Sequence, residues 1–343
     1  MKKILFGAAL LFAAVGCSKN ETLLNEQEQE NLVDVNLNLT VDDLSTKGAG
    51  SNFGVTSDDN TINCMDFFVF RTDEGRSDYG VLEYYKRFSA DECGKNFDFS
   101  VKMTLGSKRI ISIVNPHRDT WSDITNLSLL EKELASLQNE NHKNFTMLNV
   151  MNPNISQSIS LSYALSRLVS RVIVSNMKTQ FEGTPYEGYT LENVKLYLTN
   201  VQGQKYIASN TGHNLKILNA NGPVESDIEG CEMAGLIYEE TGIDLTDAGH
   251  STKHYFYCYE NTITEEDTNN KFTRLVVEGQ INGITYYYPI PLKKLLRNNS
   301  YSYDITILRP GSLDPSDDIT SSQVSIESRV LDWEEQSLYP VEF

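Results

Sequence analysis

At 343 residues the chain is long enough for two domains, and its formal net charge of -18 argues against electrostatic capture of nucleic acid or of an anionic lipid surface. Tyr outnumbers Phe, 18 to 14, with 2 Trp. That balance suits half-exposed β surfaces, where the tyrosine hydroxyl reaches water.

The first segment, Met1 to Cys17, has Lys2 and Lys3 ahead of an apolar run from Ile4 to Val15. This is the layout of a secretory signal, and it is too short to span a membrane. Its end, Ala14-Val15-Gly16-Cys17, resembles a bacterial lipobox, which implies that the Cys17 thiol carries the lipid of an exported lipoprotein. Residues 18–30 are polar and acidic, a tether rather than a folded element. Val33, Val35, Leu37, Leu39 and Val41 then alternate with polar residues, the period-2 pattern of a strand with one buried face. A loop rich in Ser, Gly and Asn follows, with Lys47-Gly48 at its centre, an accessible place for a protease to cut.

From Ile62 onward short apolar runs recur between turns. Strands are expected at Ile62–Arg71, Val81–Phe88, Phe97–Met103, Arg109–Val114, Ile159–Tyr163 and Arg167–Asn176, and a helix at Ser128–Gln138. Two glycines and a proline in Glu182–Gly188 mark the best boundary. Further strands are expected at Leu191–Leu198, Lys253–Glu260, Arg274–Ile281, Ile284–Ile290 and Ser300–Leu308, while Ala208–Thr252 is weakly periodic. Many short strands and one helix give an all-β protein of two β-sandwich domains, 48–185 and 186–343, behind a signal (1–17) and a tether with a first strand (18–47).

The tail from Gln323 is β-prone again. Val324, Ile326 and Val330 share one parity, Leu331 and Trp333 the other, and Leu338–Phe343 adds Val341 and Phe343. Such a tail is either the last strand of its own sheet or a strand meant for another molecule.

Catalytic patterns are missing. No phosphate loop, nucleophile elbow or Cys–His spacing occurs, so neither an enzyme nor a cofactor is expected. His250 and His254 lie at i, i+4, but on a strand that spacing is roughly 13 Å, which favours a surface pair and no metal. Glu265-Glu266-Asp267 reads as a solvated loop lacking calcium-loop spacing. Beyond Cys17, the thiols Cys64, Cys93, Cys231 and Cys258 suit either one bridge in each half or four free thiols.

Several stretches together resemble the fimbrillins of Bacteroidales, the subunits of type V pili. They are the lipobox, the basic residue after the first strand, Phe67-Phe68-Val69-Phe70 running to Asp73-Glu74-Gly75, and Leu105-Gly106-Ser107-Lys108. Phe145-Thr146-Met147, Leu168-Val169-Ser170-Arg171-Val172, Phe256-Tyr257-Cys258-Tyr259-Glu260-Asn261 and Arg297-Asn298-Asn299-Ser300-Tyr301 follow in order, then Pro310-Gly311 and Asp332-Trp333. The resemblance implies two transthyretin-like β-sandwiches and export to the outer membrane as a lipoprotein, anchored through Cys17. It implies cleavage in the first loop, for which Lys47-Gly48 needs a lysine-specific, trypsin-like protease because no Arg precedes Phe70. It also implies polymerisation with other fimbrillin subunits. The strand carrying Val33, Val35, Leu37, Leu39 and Val41 is displaced by a donor strand carrying Val324, Ile326, Val330, Val341 and Phe343. The alternative expectation is a surface lipoprotein that does not polymerise, a pilus anchor or tip or an adhesin for a host ligand or glycan.

Overall fold

The computed structural model describes residues 32–41, 57–94, 96–209, 215–320 and 322–332. Cys17, Lys47, Gly48, Val341 and Phe343 therefore lie outside the described residues. The first strands are β1 (Leu32–Val41), β2 (Cys64–Arg71), β3 (Leu82–Ser89), β4 (Asn96–Thr104), β5 (Gly106–Val114), β6 (Leu134–Ser136), β7 (Met147–Met151), β8 (Asn154–Ile155) and β9 (Ile159–Arg167). All but β6 join one sheet, which runs β3-β2-β5-β7-β9-β1-β4 with β8 added to β5.

That path folds over on itself. β7 and β9 meet in two register pairs, Met147↔Arg167 and Leu148↔Ser166. Beyond this joint, Val35, Leu37 and Leu39 of β1 and Val101 and Met103 of β4 share a core with Met65, Phe67 and Val69 of β2. The result is a sandwich made from the two ends of one sheet. β2 is buried along both faces, because Phe68 and Phe70 turn the other way and pack against Ile111, Ile113 and Trp121. An unbroken apolar run is what a doubly covered strand requires.

The second half contains β10 (Val169–Thr179), β11 (Glu192–Thr199), β12 (Val201–Gln202), β13 (Gln204–Tyr206), β14 (Ile217–Leu218), β15 (Tyr238–Glu240) and β16 (His254–Tyr259). β17 (Thr273–Ile281), β18 (Ile284–Leu292), β19 (Asn299–Ile307) and β20 (Val324–Asp332) complete it. Two four-stranded sheets, β16-β10-β19-β20 and β15-β11-β17-β18, face each other. Between them lie Val172, Val174, Leu196, Leu198, Phe256, Leu275, Val277 and Ile305. The same core continues into the outer face of β2 and β5, so the two sandwiches share apolar packing.

The chain passes from one sandwich to the other at Leu168, a buried residue between β9 and β10. This lies ahead of the Glu182–Gly188 turn, because β10 pairs with β16 and β19 of the second half. The expected helix at Ser128–Gln138 is a single turn at Leu127–Leu130, capped by the Asn126 side chain. After it the chain extends as β6 to pair with β13, which leaves Leu134 exposed. Tertiary pairing overrides the helical leucine spacing. The four described cysteines are free thiols rather than two bridges. Burial pushes the Cys258 thiol up to about 12.

Candidate functional site

The first expected functional element, β1, occupies a slot between two strands distant from it in sequence. It runs antiparallel to β4, from Leu32↔Thr104 to Thr40↔Asn96. It runs parallel to β9, from Val35↔Ile159 to Val41↔Leu165. Val35, Leu37 and Leu39 are at most 1% exposed, and Val33 is half-buried against the same core. On the wet face Ser100 donates to Asn36 (2.6 Å), Asn38 donates to Asp98 (2.5 Å), and Lys102 lies 3.6 Å from Asp34. The odd-even alternation therefore fixes the face of β1, and two ladders fix its register.

β1 is the one strand neighbour of β4 among the described residues, and the one neighbour of β9 over Ile159–Ala164. A slot of this kind exists only while a strand fills it. Without an occupant, β4 retains side-chain packing such as Phe99 against Phe67 and Phe88, with centroids 4.9 and 4.8 Å apart. It also retains a polar anchor at its end. Glu83 accepts from Thr104 N (2.6 Å) and Thr104 Oγ1 (2.9 Å), and pairs with buried Lys108 at 2.9 Å and Arg71 at 3.3 Å. Arg71 reaches on to Asp78 at 2.7 Å. Hydrogen bonds from Arg76 and then Arg71 hold the Asp78 carboxyl well below the usual carboxylate range.

The second expected element, the tail, divides. Residues up to Asp332 form β20, antiparallel to β19 with Val324↔Ile307, Ile326↔Ile305 and Val330↔Tyr301. Val324 is buried, and Ile326 and Val330 pack half-buried on the core. These three donor candidates thus sit in this chain's own sheet, at its edge. Trp333–Phe343 lies outside the described residues.

Between the sandwiches is a polar junction that sequence reasoning missed. Asp59, in a 3-10 turn at Ser57–Asn60, pairs with Arg171 NH1 at 3.1 Å and accepts from Tyr257 OH at 3.4 Å. Arg171 Nε donates to Ser300 Oγ (2.6 Å), and Arg167 Nε donates to the Asp59 carbonyl (3.1 Å). Asn298, with φ of 61°, uses its side-chain oxygen to accept from Arg167 N (3.1 Å) and NH1 (3.0 Å). Asn tolerates the left-handed region. The two arginines and the Arg297–Tyr301 motif therefore meet around Asp59, Arg171 at its carboxylate and Arg167 at its backbone carbonyl. The signal was two basic residues in an apolar strand, which require a buried acid from elsewhere.

Other sequence readings change with the structure. Glu266 is bound by both ends of the Arg274 guanidinium at 2.7 Å each, rather than solvated. His254 opens β16 but His250 lies before it, and their rings stack with centroids 5.5 Å apart. The expectation of a strand-length separation fails because the strand begins four residues later than His250.

No protein-family model matches the chain. Over 98% of its length it is 22% identical to "Major fimbrium subunit FimC" of Porphyromonas gingivalis, covering 71% of that protein. A crystal structure of a putative cell adhesion protein from Parabacteroides distasonis superposes with TM-score 0.64 and 16% identity, over 90% of this chain and 99% of that one. The fimbrilin FimA of Porphyromonas gingivalis superposes with TM-score 0.60 and 15% identity, over 88% and 98%. The likeness to Bacteroidales fimbrillins carried by the motifs thus extends along the chain and to the all-β sandwich fold.

Proposed function

We propose that this chain is a subunit of a type V fimbria that supports cell adhesion. It is exported as an outer-membrane lipoprotein through Cys17, cut after Lys47 by a lysine-specific protease, and joined to other fimbrillin subunits by strand exchange. The observation that carries the reading is the position of β1, an inserted strand whose two neighbours have, among the described residues, no other partner along most of its length. Relatives named as fimbrial and adhesion proteins support the same assignment.

Cleavage at Lys47 separates β1 from the body, and Asp59 then sits near the new start of the chain. Its pairing with Arg171 holds that start on the junction while β1 leaves. The incoming strand must run antiparallel to β4 and parallel to β9 and bring apolar residues at every second position. Two parts of the tail carry apolar residues on one parity, Val324–Val330 with an interruption at Ser328. Leu338–Phe343 brings Val341 and Phe343, but Pro340 has no N–H to give a strand paired on both sides. Val324–Val330 lacks proline and must peel away from β19.

The pairing of β20 with β19 in this chain favours the second reading, a surface lipoprotein at an anchor or tip that keeps β1 and offers no donor. One substitution separates them. Lys47→Ala is expected to leave export intact and abolish assembly, with surface protein whose N-terminal residue is still Cys17. Normal fibres from that variant overturn the cleavage step.

A further inference from the structure

At the closed edge of the second sandwich, β15 of one sheet and β16 of the other are joined by a histidine. His254 is 6% exposed, and its Nδ1 lies 3.0 Å from Glu239 Oε2. A carboxylate at Nδ1 accepts that proton and leaves the lone pair of neutral imidazole on Nε2. Nε2 of His254 is buried with no hydrogen-bond partner, and so is Nε2 of His250. The two rings lie 28° from parallel with centroids 5.5 Å apart. His250 is fixed in place by the end of β10, donating its N–H to the Met177 carbonyl (2.7 Å) and accepting from Met177 N (3.0 Å). Buried polar nitrogens ordinarily have partners, so a neighbouring pair that lacks them calls for a shared one.

We propose that His250 and His254 bind one divalent transition-metal ion of the class that imidazole prefers, Zn2+ or Cu2+. Two imidazoles on a single tetrahedral ion, with metal–nitrogen bonds of about 2.0–2.1 Å, put their centroids on the order of 5 Å apart, close to the spacing seen here. The Glu239–His254 contact is the outer-shell carboxylate that orients a metal-binding histidine and raises its basicity. No cluster of three or more His, Cys, Asp or Glu ligands occurs among the described residues, so the pair supplies two protein ligands. A cleft of about 410 Å3 reaches His250, with Asp304, Glu327 and Lys178 among its walls. The ion ties the end of β10 to the first residue of β16, and through Glu239 to β15.

The test uses the full chain without a histidine tag. Zn2+ is expected to raise the melting midpoint and saturate near one equivalent, while Mg2+ leaves it unchanged. Cu2+ at one equivalent is expected to show electron paramagnetic coupling to imidazole nitrogen. His250→Gln and His254→Gln each remove both responses, and His142→Gln keeps them. Glu239→Gln keeps both ligands and weakens Zn2+ binding by roughly 10–100-fold. His250 is the more exposed of the two, so its variant serves if His254→Gln fails to fold. A Zn2+ response that survives in His250→Gln, or a wild-type Cu2+ spectrum without nitrogen coupling, overturns the proposal.

Discussion

β1 and β20 both carry apolar residues on one parity, unbroken in β1 and interrupted at Ser328 in β20, and they sit in different mechanical situations. β1 is paired on both sides and its three central apolar residues are at most 1% exposed. β20 is paired on one side, with Val324 buried and Ile326 and Val330 half-buried. Taking β20 away bares one edge of β19, whose other side stays bonded to β10. Among the described residues, taking β1 away leaves β4 with no ladder and β9 with two register pairs. β1 is thus the keystone of its sandwich, and β20 is the more loosely held. A vacated slot does not stand open as a rigid groove. The exchange we propose therefore requires the new strand to enter as the old one leaves, because unpaired backbone in that interior is costly.

A charge placed in each strand gives the largest expected effect and the sharpest contrast. Leu37→Asp puts an unpaired carboxylate in the first core, and a loss beyond about 4–5 kcal/mol is expected. Ile326→Asp lies at a half-buried edge position, where water reaches the carboxylate and about 1–2 kcal/mol is expected. Denaturant midpoints on the full chain measure both. Equal losses remove the distinction between keystone and edge.

The junction comes next, since it decides whether the two sandwiches respond together. Arg171→Ala leaves Asp59 buried beside Tyr257 without its ion partner, and a loss of about 3–5 kcal/mol is expected. Asp59 belongs to the segment that follows β1 and Arg171 to β10. Hydrogen exchange is therefore expected to speed up in β10 and β16 as well as near Asn60. Exchange confined to the first sandwich breaks the link.

Much of this was legible in the sequence. The odd-numbered apolar set of β1 fixed its buried face, and most expected strands lie within a few residues of those observed. Partner choice was not legible. Nothing in Val324, Ile326 and Val330 distinguishes a strand destined for a neighbour from one resting on β19, because alternation reports a face and not a partner. The Leu129–Leu137 spacing failed for a related reason, since pairing with β13 outweighed a helix that propensity favours only weakly. Asp59 was hidden because Asp58-Asp59 in a polar stretch has no pattern that marks either as buried. His250 was misplaced because it precedes β16, where its ring stacks with His254 instead of lying a strand length away.

The smallest predicted effect concerns acid, and it falls at the end of β1. The Asp78 carboxyl is held below its usual range first by Arg76, at 2.9 and 3.1 Å, and then by Arg71. Arg71 in turn meets Glu83, the residue that fixes Thr104 opposite Leu32. A carboxyl depressed in the folded state adds stability that is present above its unfolded value of about 3.9 and lost as pH falls below it. Asp78→Asn removes that contribution at every pH. At pH 7 the variant is expected to be less stable by no more than about 1 kcal/mol, because Asp78 and Arg76 are partly in water. The gap should shrink as pH falls below 4, since the wild-type carboxylate is progressively neutralised there. β20 lacks an equivalent, its Arg329–Asp304 pair being 3.9 Å long with Arg329 exposed. Acid should therefore loosen β4 before β20, and amide exchange between pH 3 and 5 measures the order. If β20 opens first, the anchor at Glu83 and Asp78 is not what holds the end of the slot.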